Sequence, residues 1–188
     1  YYNKNDGKVI GFTFDRFNYI LFRSKFQNNF SKFNLNYSLN EKVDSINQIK
    51  HPSVRETLKY LKFNDPFELH YNGELPARSG LGTSSAFTVG LLKILLSIQK
   101  KKYTNLELAN KAIKIEQDKI GETVGSQDQC FASLGGFKKL IFKKNTIDFK
   151  DVKISNGNIK KLEDSMLLLF TEKVRNAEQI EKQKLNKF

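Results

Sequence analysis

The chain has 188 residues, enough to bury a sizeable core as one domain, and it contains no apolar run long enough to span a membrane as a helix. Its formal net charge of +12 comes from lysines scattered among Asn, Ile and Phe, which weighs against a dedicated nucleic-acid surface and favours small anionic ligands. A single cysteine, Cys130, excludes an internal disulfide and reads as a small buried hydrophobe, and two histidines, His51 and His70, are too few for a zinc centre of the usual kind.

In chain order, residues 8–14 and 17–23 carry β-branched and aromatic residues around Asp15-Arg16 and are expected to form two adjacent strands. Phe33, Leu35 and Tyr37 alternate with polar residues, the period of a half-buried strand. A short helix is expected over residues 54–61 with Ser53 as its cap, and a strand over residues 67–71 delivers the chain to a glycine-rich stretch. The next helix, through Ile98, is apolar nearly all round and therefore buried. Lys100, Lys101 and Lys102 form a solvated connection to a second helix, opened by the capping box Thr104-Asn105-Leu106-Glu107. On it Leu106, Ala109, Ile113 and Ile120 make an apolar stripe, with Glu116 in its middle. Ser126 and Gln129 read as another capping box, which would put Asp128 in the first turn of a short helix. A hairpin is expected from residues 137–142 and 146–152, turning at Lys144-Asn145. A short strand over residues 166–170 and a lysine-rich helix from Arg175 close the chain.

The stretch Glu74-Leu75-Pro76-Ala77-Arg78-Ser79-Gly80-Leu81-Gly82-Thr83-Ser84-Ser85-Ala86 stands at a strand-to-helix junction. Backbone N–H groups at a helix start lack intrahelical partners, so they and the helix dipole can seat a phosphate, and the glycines admit it closely. The glycines alone also fit an ordinary loop before a Ser or Thr cap. A Walker A loop is excluded because no Gly-Lys-Ser/Thr ends the stretch, and Ser85 stands where a dinucleotide fingerprint needs its third Gly. Glu116 carries a second cue. A carboxylate turned toward the core is costly unless a structural Lys or Arg, or a metal, receives it. An Asp in a first helical turn, such as Asp128, is often only dipole-stabilising.

Taken whole, the stretch resembles the second motif of the GHMP small-molecule kinases, Pro-x-x-x-Gly-Leu-Gly-Ser-Ser-Ala, which wraps ATP phosphates. Pro76, Gly80, Leu81, Gly82 and Ser84 match, while Thr83 and Ser85 replace a Ser and the Ala. Gly125-Ser126-Gln127-Asp128 through Gly135-Gly136 resembles the family's segment with the catalytic Asp, with Gly and Ser exchanged in order. Both stretches look most like the branch acting on D-glycero-D-manno-heptose 7-phosphate.

The resemblance implies an α+β fold, the GHMP kinase N-terminal domain, ribosomal protein S5 domain 2-like, over residues 1–188. It also implies that the chain is a fragment lacking a sugar-contacting motif before Tyr1 and the C-terminal domain after Phe188. Implied roles are phosphate binding by Gly80, Leu81, Gly82, Thr83, Ser84 and Ser85, Mg²⁺ binding by Ser84 and Glu116, and proton acceptance by Asp128. Arg78 and Gln127 are candidates for contact with substrate. The expected ligands are ATP, Mg²⁺ and a phosphorylated sugar in a cytoplasmic enzyme that uses no nucleic acid or membrane, and a homodimer is left open. The implied reaction gives the heptose 1,7-bisphosphate for GDP-heptose and surface glycans. A kinase for fucose or galactose, and a non-catalytic S5-like RNA-binding module, are the alternatives.

Overall fold

Among the described residues seven strands form two sheets, and helices cover one face of each. The computed structural model describes residues 6–25, 31–76 and 79–169. The first sheet is antiparallel, in the order β1 (Gly7–Phe12), β6 (Phe137–Phe142), β7 (Ile147–Asp151). The second has the order β2 (Asn18–Ser24), β5 (Phe67–Gly73), β3 (Phe33–Asn36), β4 (Asn40–Val43), with β3 and β5 parallel and the other pairs antiparallel. The first two strands are thus neighbours in sequence but not in space. The turn at Asp15-Arg16 carries the chain from one sheet to the other.

Helix α1 (Pro52–Leu61) starts slightly earlier than its sequence suggests. Its N-cap is His51, whose side chain makes no capping bond, and Pro52 takes the first helical position, where a missing N–H costs nothing. Ser53, the expected cap, is buried inside the first turn. The helix ends at Lys62, left-handed at φ 53°. Helix α2 (Thr83–Ile98) is buried through Phe87, Val89, Leu91, Leu92, Leu95 and Leu96, as its apolar sequence requires. It lies so close to β2 that a β-carbon on Gly90 would stand 3.1 Å from Ile20 Cδ1. The main core joins α1 and α2 to Phe33, Leu35, Phe67 and Leu69 of the second sheet.

Helix α3 (Asn105–Lys114) opens on the expected capping box. Glu107 N donates to Thr104 Oγ1 at 3.2 Å, and Thr104 N to Glu107 Oε2 at 2.7 Å. It continues as a π-helical segment, Ile115–Ile120, closed by Gly121 at φ 80°. Its buried face is Leu108, Ala109, Ala112, Ile115 and Glu116, so the expected stripe is rotated and Leu106 and Ile113 are only half-buried. Ala109 joins Cys130 of α4 (Gln127–Leu134) and Leu140 and Phe142 of β6 in a second core under the first sheet.

The β6–β7 hairpin forms as expected, with Lys143 N donating to Thr146 O at 2.9 Å. Helix α5 (Asn156–Asp164) buries no side chain. Residues 166–169, expected as a strand, are exposed and in no regular element, while Phe170 and the helix expected from Arg175 lie outside the described residues. Lys100, Lys101 and Lys102 are exposed. No helix of the described residues is long and apolar enough to cross a membrane.

Each histidine has a partner within the fold. His51 packs against Tyr37 and Phe87 with ring centroids 4.9 Å away in each case, and burial lowers its pKa. His70 Nε2 lies 2.8 Å from Glu68 Oε1. Beside His51, the buried Glu41 carboxyl accepts from Tyr37 Oη at 2.6 Å, Lys50 N at 2.7 Å and His51 N at 3.2 Å. Burial pushes that carboxyl up, but these donors outweigh it and hold it below the ordinary range.

Candidate active site

The strand β5 ends at Gly73, and the chain turns through the glycine stretch into α2. Gly80 and Gly82 are left-handed at φ 79° and 72°, a conformation that costs a side chain about 1–2 kcal/mol. Gly82 is the N-cap of α2 and offers no side chain for capping. The first helical bond is Ala86 N to Gly82 O at 2.9 Å, so the geometry leaves the N–H groups of Thr83, Ser84 and Ser85 without intrahelical acceptors. The turn is braced from β2. Asn18 Nδ2 donates to Thr83 O at 2.9 Å, and Tyr71 Oη donates to Asn18 Oδ1 at 3.2 Å.

Glu116 approaches this helix start from the π-helical segment and is only 2 % exposed. Ser85 Oγ donates to its Oε2 at 2.9 Å, and Gln129 Nε2 donates to the same oxygen. Its Oε1 is buried with no hydrogen-bond partner. Burial raises the pKa of Glu116; Gln129, Thr88 and Ser85 pull it down, and the charge of Asp128 pushes it up again. No Lys or Arg among the described residues pairs with it; the groups that receive it are the Ser85 hydroxyl and the Gln129 amide.

Asp128 sits in the first turn of α4, exposed, as its position in the sequence suggests. It meets the glycine turn: a β-carbon built on Gly82 would lie 3.3 Å from both Cβ and Cγ of Asp128. The expected Ser126–Gln129 capping box does not form. Ser126 makes no side-chain cap bond, its Oγ accepting instead from Gln117 Nε2 at 3.2 Å, and Gln129 turns inward to Glu116. Gln117 Nε2 also donates to Val124 O at 2.8 Å, which ties down the loop before α4.

The structure therefore brings Gly82, Ser85, Glu116 and Asp128 together from three elements. The hydroxyl against Glu116 belongs to Ser85, whereas Ser84 is exposed beside it. Gln127 is exposed, and Arg78 lies outside the described residues. Magnesium takes oxygen ligands together with water and phosphate. One buried carboxylate with an unsatisfied oxygen, hydroxyls, and a second carboxylate nearby fit that donor set. A concavity of about 390 Å³ lined by Tyr60, Leu96, Lys101 and Lys111 lies toward the other end of α2 and plays no part in this arrangement.

The family model described as GHMP kinases N terminal domain matches residues 47–136, a span that holds the glycine turn, Glu116 and Asp128. A D-glycero-alpha-D-manno-heptose 7-phosphate kinase of Campylobacter jejuni is 31% identical over 186 residues, 98% of this chain and 51% of that protein. The chain contains a GHMP kinase N-terminal domain. A galactokinase of Lactococcus lactis is 34% identical to it over 89 residues, covering 47% of this chain and 22% of that protein. The fold agrees. The crystal structure of a D-glycero-D-manno-heptose 1-phosphate kinase from Bacteroides thetaiotaomicron superposes on this GHMP kinase domain with a TM-score of 0.76 at 22% identity, covering 87% of this chain and 56% of that one. The Lactococcus lactis galactokinase structure does so with a TM-score of 0.64 at 24% identity, over 82% of this chain and 43% of that one. The chain spans about half the length of the curated heptose kinase relative that it matches along nearly all of its own length.

Gln129, Asn18 and Thr88 were not legible as parts of this site. Gln129 competes with its own reading as a capping residue, and Asn18 lies 65 positions from the carbonyl that it holds.

Proposed function

We propose that the protein carrying this chain is an ATP-dependent sugar kinase that phosphorylates the anomeric hydroxyl of D-glycero-D-manno-heptose 7-phosphate to give the 1,7-bisphosphate, in the cytoplasm. The observation that supports it is the convergence at one helix start of a glycine turn, a buried carboxylate and an exposed aspartate: Gly82 against Asp128 and Ser85 against Glu116. The choice of sugar comes from the likeness to the heptose kinase of Campylobacter jejuni, which runs along nearly all of this chain.

Thr83, Ser84 and Ser85 offer their N–H groups, with the positive end of α2, to phosphate oxygens. Glu116 through Oε1 and Ser84 through its hydroxyl would hold Mg²⁺, Ser85 being engaged with Glu116 on the buried side. When bound, the ion neutralises charge on the β- and γ-phosphates. Asp128 accepts the proton of the sugar hydroxyl as that oxygen attacks phosphorus, and must come within about 3 Å of it. Arg78 and Gln127 are proposed contacts to the substrate's phosphate and sugar. Gly82 lets the phosphate loop and the base share one small space, so that transfer is largely a matter of positioning.

The galactokinase match favours a second reading, a kinase for a neutral sugar such as galactose or fucose. An S5-like RNA-binding module has no use for the buried Glu116 carboxylate. The test is to incubate the full-length protein with Mg·ATP and each sugar, and to follow ADP release and the phosphorus NMR spectrum. Heptose 7-phosphate should acquire a second phosphate at its anomeric carbon. Turnover with galactose or fucose alone would transfer the assignment to that sugar, and none with any sugar would end it.

A further inference from the structure

Gln129 has no role in the chemistry above, yet it is 1 % exposed and faces inward one residue after Asp128. Its Nε2 and the Ser85 hydroxyl converge on the same oxygen of Glu116, Oε2, and neither reaches Oε1. Burying an amide is costly unless its groups are bonded, and Gln129 Oε1 has no partner, so packing alone would be better served by Met or Leu. Reversing the amide would set its oxygen against Glu116 Oε2, two acceptors face to face. The donor therefore faces the carboxylate.

We propose that Gln129 is a positioning residue: with Ser85 it occupies Glu116 Oε2, fixes the carboxylate with Oε1 as the oxygen that binds the cation, and ties the carboxylate to the helix bearing Asp128. The proposal rests on Glu116 being a cation ligand. A ligating carboxylate whose other oxygen is held by hydrogen bonds arrives already oriented, and loss of such a partner typically costs 10- to 100-fold in metal affinity. Because Gln129 is adjacent to Asp128 in the chain, the ion and the proton acceptor are held in one frame.

The test uses the full-length protein and Mn²⁺ as probe, with free Mn²⁺ measured by electron paramagnetic resonance in the presence of a non-hydrolysable ATP analogue. Gln129→Met, which keeps the volume and removes the donor, should weaken Mn²⁺ binding by about tenfold or more. It should leave metal-free nucleotide binding unchanged, while any fall in melting temperature in EDTA measures the hydrogen bond lost from the buried carboxylate, separately from the ion. Added to Glu116→Gln it should cost nothing further, because its effect passes through that carboxylate. Mn²⁺ affinity within twofold of wild type in Gln129→Met, or additive losses in the double variant, would overturn the proposal. If Glu116→Gln itself leaves Mn²⁺ affinity unchanged, the cation assignment of Glu116 has failed and the role of Gln129 falls with it. Should Gln129→Met not fold, Gln129→Asn, which carries the amide one methylene short, is judged by the same outcomes.

Discussion

Gly82 faces Asp128 so closely that a β-carbon on the glycine would stand 3.3 Å from the Cβ and Cγ of the aspartate. Gly80 is also left-handed but, among the described residues, has nothing within 4 Å of its β position. The two glycines therefore separate backbone conformation from close approach. Gly80→Ala should cost about 1 kcal/mol of stability and, in the phosphate loop but clear of Asp128, should raise KM for ATP more than it lowers kcat. Gly82→Ala should cost at least as much and also displace Asp128, lowering kcat about tenfold or more. Urea unfolding and steady-state kinetics on the pair of variants decide the matter; equal kcat values would show that the contact is incidental.

Asp128→Asn preserves shape and removes the proton acceptor. Phosphoryl transfer should fall by about 10²- to 10⁴-fold, with ATP affinity little changed. A collapse of ATP affinity with the rate per bound complex retained would make Asp128 a ligand or a structural residue.

Glu116 has its pKa raised by burial, so its contribution to stability is present at low pH and is lost as pH rises through the folded value. In EDTA, Glu116→Gln should melt at a higher temperature than wild type at pH 8, and the advantage should shrink at pH 5. With Mg²⁺ and nucleotide the order should reverse, because only the carboxylate gains from the ion. A melting curve that does not respond to Mg·nucleotide in wild type would contradict this.

Glu41 titrates with the opposite sign. Its donors hold the carboxyl below the ordinary range, so its stabilisation is present at neutral pH and lost as pH falls through the folded value. Glu41→Ala leaves the N–H groups of Lys50 and His51 without their acceptor and should cost about 2–3 kcal/mol at pH 7. Urea titrations should show the gap between variant and wild type narrowing at pH 3.

Thr104→Ala removes the reciprocal capping of α3 and should cost about 1 kcal/mol, measured by thermal or urea unfolding. Since the cap lies well before Glu116 on the same helix, ATP turnover should change little.

Most strands and the helices that bear the site were legible because their signals are local: alternation at Phe33 and Leu35, the unbroken apolar run of α2, the capping box at Thr104. Polar β4 and solvent-facing α5 were not, because neither carries an apolar pattern that sets it apart from a loop. The apolar residues at 166–169 misled in the opposite direction, their hydrophobicity being exposed. Within the site, Glu116 was conspicuous as a carboxylate among apolar neighbours. The choice of Ser85 over Ser84 as its partner was not, since adjacent residues at a helix start differ only in the direction they face. The inward turn of Gln129 was hidden because the alternative, a cap, was satisfied by the same two residues.

The π-helical turn makes the site sensitive to residue count more than to residue type. A π segment is equivalent to one extra residue accommodated in an α-helix. Deleting a single position from Ile115–Ile120 would let the segment close as ordinary α-helix, removing the residue that the wider turn accommodates. Which residue is lost would decide whether Glu116 keeps the buried face that it shares with Leu108 and Ala112, and whether Gln117 still reaches the loop leading to Asp128. Variation in this helix should accordingly be found as substitution on its exposed side, with its length held fixed.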